Sequence, residues 1–405
     1  MAVVQIQLNK SSQAKGSALF NLGFRPFFLG AGVFAVLSIA WWISIYTFHG
    51  IVQISHISPS QWHAHEMLYG YGLAVVAGFL LTAVKNWTGV QTLHGQPLMM
   101  LFALWCVARV LFLFGTSLLA AAAIADILFG LFLIIAVAYP IFKARQWQQL
   151  AVITKLLLLW IGNLVFYLGS YGVFTDGMLY AINGAVLLFI SLILMIGRRV
   201  IPFFIERGVA HLVDGKVKLK QYQWLDYSIL ALFFGLFINE IFVHADYLTL
   251  LTALSLFALN GYRLRNWHTA ALWRVPLLWS LYLSSWIINL GFLFYGLQTQ
   301  FVIPAIFTLH LFTIGGVGLM TIGMMSRVAL GHTGRDIKDS SPWLKLAFAA
   351  IVASALFRIV MPMLAMEYYI NWVVISAMFW VAGFAVFLVI YTPVLYKPRV
   401  DGTYG

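Results

Sequence analysis

Apolar stretches of about 20 residues follow one another along the whole chain, separated by short polar segments. A run of this length crosses the roughly 30 Å hydrocarbon core of a bilayer as an α-helix. The pattern predicts an all-α, polytopic membrane protein in which residues 1–405 form a single integral membrane domain. We place about twelve transmembrane helices, of which the eighth is the shortest. Their predicted ranges are 27–47, 60–83, 98–117, 120–141, 153–173, 178–197, 226–243, 247–262, 275–296, 302–326, 344–365 and 371–394.

The charge distribution predicts how these helices are oriented. Only 9% of the residues are charged, too few to cover the surface of a soluble protein, and the net charge is +12. An excess of this size could indicate a nucleic-acid partner, but the lysines and arginines concentrate in alternate connections. This is the positive-inside pattern of a multi-pass membrane protein with both termini in the cytoplasm. It predicts a short cytoplasmic N-terminal segment, 1–24, and a longest cytoplasmic loop at 198–225, with no role for nucleic acid.

Sliding the sequence along itself by 245 residues aligns two similar segments, 59–97 and 304–342. Seven of their 39 positions are identical, against about three expected from average composition. An offset of eight helices keeps both units in the same orientation, so we expect a parallel internal repeat, as in some transporters. The identical pairs are Pro59 and Pro304, His65 and His310, Gly70 and Gly315, Gly78 and Gly323, Thr88 and Thr333, Gly89 and Gly334, and Pro97 and Pro342.

Two histidines and a carboxylate occur together in the motif Trp62-His63-Ala64-His65-Glu66, within the second predicted helix. Ionisable side chains inside a membrane are rare and indicate a functional site, and histidine is the commonest metal ligand. Because the repeat matches His65 with His310, we expect these two to be the essential cofactor ligands. They could flank a planar haem, or a haem and a second metal.

The neighbouring polar residues of this motif have a different predicted role. His63 and His65 point about 200° apart on an ideal helix, whereas His63 shares a face with Glu66. A single small metal ion therefore cannot bind both histidines of an undistorted helix. We expect His63 and Glu66 to bind a second metal or to orient the ligands of the first.

Two arginines fall inside the helices that follow the two histidine helices. Arg109 lies in the third predicted helix and Arg358 in the eleventh. A buried arginine needs an anion. The propionate carboxylates of a haem are suitable anions, because a carboxylate can form a bidentate hydrogen bond with a guanidinium. The alternative partners are Asp126, Glu240 and backbone carbonyls.

Several further motifs occur near the predicted helix ends. Together with the histidine motif they resemble the NnrS family of haem- and copper-containing membrane proteins, which are associated with the bacterial response to nitric oxide. Lys85 departs from the proline that the family usually has before Asn-Trp-Thr-Gly. The matching stretches are Gly23–Phe28, Trp62–Met67, Gly78–Val84, Asn86–Gly89, Gly197–Phe204, Gly323–Val328 and Gly331–Arg335.

The resemblance implies that haem and copper are the cofactors and nitric oxide the small-molecule ligand. We expect a membrane protein that binds and could metabolise nitric oxide, contributing to resistance to nitrosative stress. Reduction, oxidation, sensing and sequestration of nitric oxide are all consistent with these residues. The alternative is a secondary transporter, suggested by twelve helices and parallel repeats, with Asp126 as its main acidic candidate for proton coupling.

The predicted orientation can be tested with fusion reporters. We expect cytoplasmic reporters to be active at both termini and in the connections that carry Lys143, Lys216, Arg265 and Arg335, because the charge alternation is nearly unbroken. A periplasmic reporter that is active after Arg265 would contradict this topology.

Overall fold

The computed structural model describes residues 18–48, 56–213 and 217–405. Within these ranges the chain is helical and contains no β-strand. Most of the predicted N-terminal segment 1–24, together with Lys216, lies outside the described residues.

Long helices form the whole of the described fold, and their number agrees with the prediction of about twelve. Eleven of the described helices are long and apolar enough to cross a membrane. The exception is α8, whose first and last turns carry Asp246, Arg263 and Arg265. The helices are α1 Phe24–Thr47, α2 Pro59–Thr88, α3 Gly95–Leu113, α4 Gly115–Lys143, α5 Trp147–Ser170, α6 Gly177–Val209, α7 Gln223–Val243, α8 Asp246–Asn266, α9 Pro276–Leu297, α10 Ala305–His332, α11 Leu344–Leu364 and α12 Met366–Tyr396.

The sixth helix is longer than the sequence pattern predicts. α6 has 33 residues and ends at Val209, whereas the prediction ended it at 197 because Arg198 and Arg199 follow. The Arg198 side chain pairs with Asp226 at 2.7 Å, so its charge is satisfied without a break in the helix. At 1.5 Å per residue α6 is about 50 Å long. Its last turns extend past the hydrocarbon core, and the predicted loop 198–225 begins as helix.

The repeat predicted from the sequence is visible in local backbone structure. The matched histidine of each unit is followed by a π-helical segment, Glu66–Gly72 in α2 and Leu311–Gly318 in α10. Such segments are rare and are frequent at functional sites. Beyond the two helices, Gly89 and Gly334 have φ angles of 71° and 73°, which glycine adopts without steric cost. Two unusual features thus recur at the same offset of 245 residues.

The two repeated helices lie near the centre of the bundle. Of the most apolar stretch of each helix, 78% is buried in α2 and 61% in both α6 and α10. The corresponding value for α7 is 22%, so that helix is peripheral. Side chains of α2, α6 and α10 that point inwards are therefore shielded by other helices.

Arg25, in the Gly23–Phe28 motif, joins the start of α1 to the end of α12. Its Nη1 donates to the carbonyl oxygens of Leu395 and Lys397 at 2.8 Å each, and its Nη2 donates to that of Gly405 at 2.7 Å. The last carbonyls of a helix have no partner inside the helix, and a cation near them is favourable. The arginine of this motif therefore has a structural role.

We expect Arg25→Ala to lower the free energy of unfolding by about 2–3 kcal/mol, because several buried carbonyls lose a charged donor. The measurement is denaturant unfolding of the purified protein in mixed micelles. Arg145→Ala, which removes an exposed arginine, is the control and should change stability little. Equal losses in the two variants would contradict the structural role.

Candidate functional site

Six polar side chains from α2, α3, α4 and α5 are buried together, and we refer to them as the charge network. Arg109 lies at its centre: Nη1 donates to Glu66 Oε1 at 2.5 Å, and Nη2 forms an ion pair with Asp126 Oδ1. All three side chains are at most 5% exposed. The members are His65, Glu66, Arg109, Asp126, Asn163 and Tyr167.

His65 uses both of its ring nitrogens within the charge network. Nδ1 lies 2.9 Å from Glu66 Oε1, and Nε2 lies 2.9 Å from Asn163 Oδ1. The Asn163 amide nitrogen donates to Asp126 Oδ2 at 3.0 Å, so its oxygen is left to accept from the histidine. Both ring nitrogens of His65 therefore have a hydrogen-bond partner within the charge network.

Aromatic rings enclose the imidazole of His65 on several sides. The ring centroids of Phe166, Phe112, Tyr69 and Tyr167 lie 4.3, 5.1, 5.2 and 5.3 Å from that of His65. The histidine is fully buried. Neither a free nitrogen nor an open approach remains for a metal or a haem.

A separate cavity of about 150 Å³ lies between α1, α2, α6, α10, α11 and α12. We call it the histidine cavity, because His63 and His310 both line it together with Arg358. Arg358 is a neighbour of both histidines, and the two histidines are neighbours of each other. Most of the remaining wall is apolar, from side chains such as Ile39, Met67, Ile182, Val186, Phe189 and Ile314.

The ring of His310 is oriented by its own helix. Its Nδ1 lies 2.7 Å from the carbonyl oxygen of Ile306, one turn earlier. A carbonyl only accepts, so Nδ1 carries the proton and Nε2 keeps its lone pair. This is the hydrogen-bond pattern of a histidine that binds a metal through Nε2.

His63 is held by an aromatic side chain rather than by a hydrogen bond. Its ring stacks on Trp42 of α1, with centroids 4.3 Å apart and planes 24° from parallel. Its buried Nδ1 has no hydrogen-bond partner among the described residues. His63 therefore presents a ring of defined orientation and at least one nitrogen free to bind a ligand.

Arg358 is buried beside the two histidines, at 6% exposure. Its guanidinium lies 5.3 Å from the centroid of the Tyr369 ring. Its Nη1 has no hydrogen-bond partner among the described residues, and no described carboxylate forms an ion pair with it. A buried guanidinium without an anion is costly, so the cavity is suited to an anionic group.

The structure does not bring the expected ligands His65 and His310 to one site. His65 belongs to the charge network and does not line the histidine cavity; His63 occupies that place instead. The two matched histidines lie in different surroundings because different residues follow them. Glu66 offers a carboxylate to His65, and Arg109 adds a cation, whereas Leu311 offers His310 no polar partner.

Two further expectations disagree with this geometry. Glu66 points to Arg109, so it does not share a site with His63. Arg109 and Arg358 do not face one anion, because Arg109 is already paired with Glu66 and with Asp126, one of its alternative partners. Among the described residues, no group of three or more His, Cys, Asp and Glu side chains is arranged to hold a metal ion.

Sequence reasoning missed residues that complete both sites. Asn163 orients His65, Trp42 supports His63, and Tyr369 covers Arg358. A buried amide in a predicted membrane helix is a detectable signal, and Asn163 could have been found this way. The two aromatic residues carry no such signal, because aromatic residues are common throughout this chain.

The bundle of apolar helices, with a buried charge network and a cavity lined by histidines and an arginine, defines a multi-pass membrane protein with an internal polar cavity. The family profile described as NnrS protein matches residues 18–399. The chain therefore belongs to the NnrS family. No curated protein sequence matches it.

Because Arg109 is ion-paired and Arg358 is not, replacing them should affect the stability of the protein differently. We expect Arg109→Met to lower the free energy of unfolding by about 3–5 kcal/mol, because Glu66 and Asp126 are left buried without their cation. Arg358→Met leaves no described carboxylate unpaired and should destabilise the protein much less. Unfolding of both variants in mixed micelles tests this, and similar losses would contradict the assignment.

Proposed function

We propose that the chain is a haem- and copper-containing membrane protein that binds nitric oxide and contributes to resistance to nitrosative stress. The observation that carries the proposal is the histidine cavity, where two histidines with available nitrogens and an arginine without a protein anion line one largely apolar space. Membership of the NnrS family supports the same function.

The side chains that line the cavity are of the kinds that hold a haem. His310 offers an unprotonated Nε2, as a proximal ligand requires, with Nδ1 bound to a carbonyl. Arg358 offers its guanidinium to a propionate. Ile39, Val186 and Phe189 offer apolar contacts to a macrocycle.

The same cavity contains donors suited to copper. His63 offers an imidazole nitrogen, and Met67, four residues later on the same helix, also lines the cavity. Imidazole and thioether are both ligand types that copper accepts. Only two histidines of the described cavity are available, so the two metals would share a small set of protein ligands. When bound, a haem iron and a copper ion supply reversible binding of nitric oxide and one-electron chemistry.

The surroundings favour a small, uncharged ligand. Nitric oxide is apolar enough to cross lipid, so it needs no polar channel. A second cavity of about 90 Å³ shares Phe189 and Val317 with the histidine cavity, and its wall is almost wholly apolar. This arrangement supports approach through the membrane-embedded part of the bundle. We propose that the protein resides in the bacterial inner membrane with both termini in the cytoplasm.

The contacts of Asp126 do not support the alternative that the protein is a secondary transporter. It depended on Asp126 as a proton-coupling acid. Asp126 is fully buried, is ion-paired with Arg109 and accepts hydrogen bonds from Asn163 and Tyr167. These contacts give the carboxylate a structural role.

The ligand assignment can be tested on purified variants by measuring haem and copper per protein and the Soret spectrum. We expect His310→Ala to lose haem or change its coordination, and His63→Ala to lose copper. Arg358→Met should weaken haem binding about tenfold or more, because an anion loses its charged partner.

His65→Ala and His268→Ala serve as controls, the first from the charge network and the second from an exposed turn. Folded His65→Ala should keep its metal ligands, with any loss limited to about 10–100-fold in affinity. Normal haem and copper in both His63→Ala and His310→Ala would refute the assignment. A wild-type protein without a Soret band would refute the haem proposal itself.

A further inference from the structure

A second large cleft lies on the surface of α6, between α5 and α7. Its volume is about 220 Å³, larger than that of the histidine cavity. α5 and α7 both pack on α6, but in the described structure they make little contact with each other. Tyr227 and Leu230 on the rim are exposed, so the cleft is accessible from outside the bundle.

The cleft is strongly basic. Its lining contains Lys155 of α5, Arg198 and Arg199 of α6, Arg263 of α8, and a single carboxylate, Asp226 of α7. Asp226 Oδ2 pairs with Arg198 at 2.7 Å and Asp226 Oδ1 with Arg263 at 2.8 Å. Both carboxylate oxygens are therefore engaged, and the lining keeps an excess of positive charge.

Two of the cations have no carboxylate partner among the described residues. Lys155 Nζ lies 3.7 Å from the Met195 sulfur, which is a weak acceptor. Arg199 is exposed at the cleft. These two side chains are available to an anion from outside the chain.

Most of the remaining wall of the cleft is apolar, with Gln148, Gln149 and Ser191 as its uncharged polar residues, and the cleft lies at one end of the helices. Leu194, Ile229 and Phe233 form part of its wall, and Trp87 near the end of α2 lies at the same level. The lining residues come from the helix ends that the charge distribution assigns to the cytoplasmic side. Basic side chains, an aromatic residue and an adjoining apolar wall are the surroundings of a lipid headgroup at the membrane interface.

We propose that this cleft binds an anionic phospholipid. The phosphate interacts with Lys155 and Arg199, and an acyl chain fills the gap between α5 and α7 along the apolar wall. Charge complementarity selects the headgroup, because a zwitterionic lipid brings its own cation into a site that already has an excess of cations. The site does not depend on haem, copper or nitric oxide.

The test is native mass spectrometry of the delipidated, full-length protein in detergent, titrated with phosphatidylglycerol or with phosphatidylcholine of the same chain length. Wild-type protein should bind the anionic lipid more tightly. Lys155→Gln/Arg199→Gln should weaken that binding about tenfold or more and remove the preference. The matched control, Lys143→Gln/Arg145→Gln, removes two exposed cations from the end of α4 and should keep the preference.

Each remaining outcome has a defined meaning. Equal binding of both lipids by wild-type protein, or equal losses in the two double variants, would overturn the proposal. Competition by inorganic phosphate at the lipid's concentration would indicate a site for a soluble anion and would also overturn it. If the double variant does not fold, the lipid preference of Arg199→Gln alone is compared with that of the wild type. This substitution should be tolerated, because the Arg199 side chain is exposed at the cleft.

Discussion

A charge inside the hydrocarbon region of a membrane must be compensated, and this constraint explains the centre of the structure. Arg109 lies between Glu66 and Asp126, and His65 bridges Glu66 and Asn163. Each of these contacts joins side chains that would be costly to bury alone. The charge network thereby fixes α2, α3, α4 and α5 relative to one another. Arg358 is subject to the same constraint, but no described carboxylate pairs with it, so its positive charge is available to the anion that we propose for the cavity.

The internal repeat shows how one local structure can serve two purposes. Both units carry a histidine directly before a π-helical segment. In the first unit Glu66 follows, and the histidine joins an ion-paired network. In the second unit Leu311 follows the histidine. His310 Nδ1 hydrogen-bonds to the carbonyl oxygen of Ile306 on the same helix, which leaves Nε2 free. The position that matches Arg109 is Ser354, which bonds to Ser376, and the arginine of this unit, Arg358, lies one helical turn later.

The central helices also separate the two proposed binding sites. Phe189 of α6 lines the histidine cavity, and Arg198, further along the same helix, lines the basic cleft. Phe189 and Arg198 are nine positions apart, or roughly 14 Å at 1.5 Å per residue, and the lining of the cleft on α6 begins at Ser191. A cofactor site within the bundle and a lipid site at its surface can therefore share one rigid helix while using different residues.

The sequence alone predicted the helices, the repeat, the residues capable of chemistry and most helix ends, although not that of α6, because burial in lipid imposes long apolar runs and makes every polar residue conspicuous. It also included His63, His310 and Arg358 among six candidate site residues, but it grouped them with His65, Glu66 and Arg109 rather than with one another. Only the tertiary structure decided which polar residues face each other. Helical periodicity gives the direction of a side chain on its own helix, whereas partners such as Asn163, Trp42 and Asp126 come from helices distant in sequence. The sequence therefore could not assign His65 to an ion-paired network and His63 to the cavity, since that choice depends on where α1, α3, α4 and α5 pack around α2.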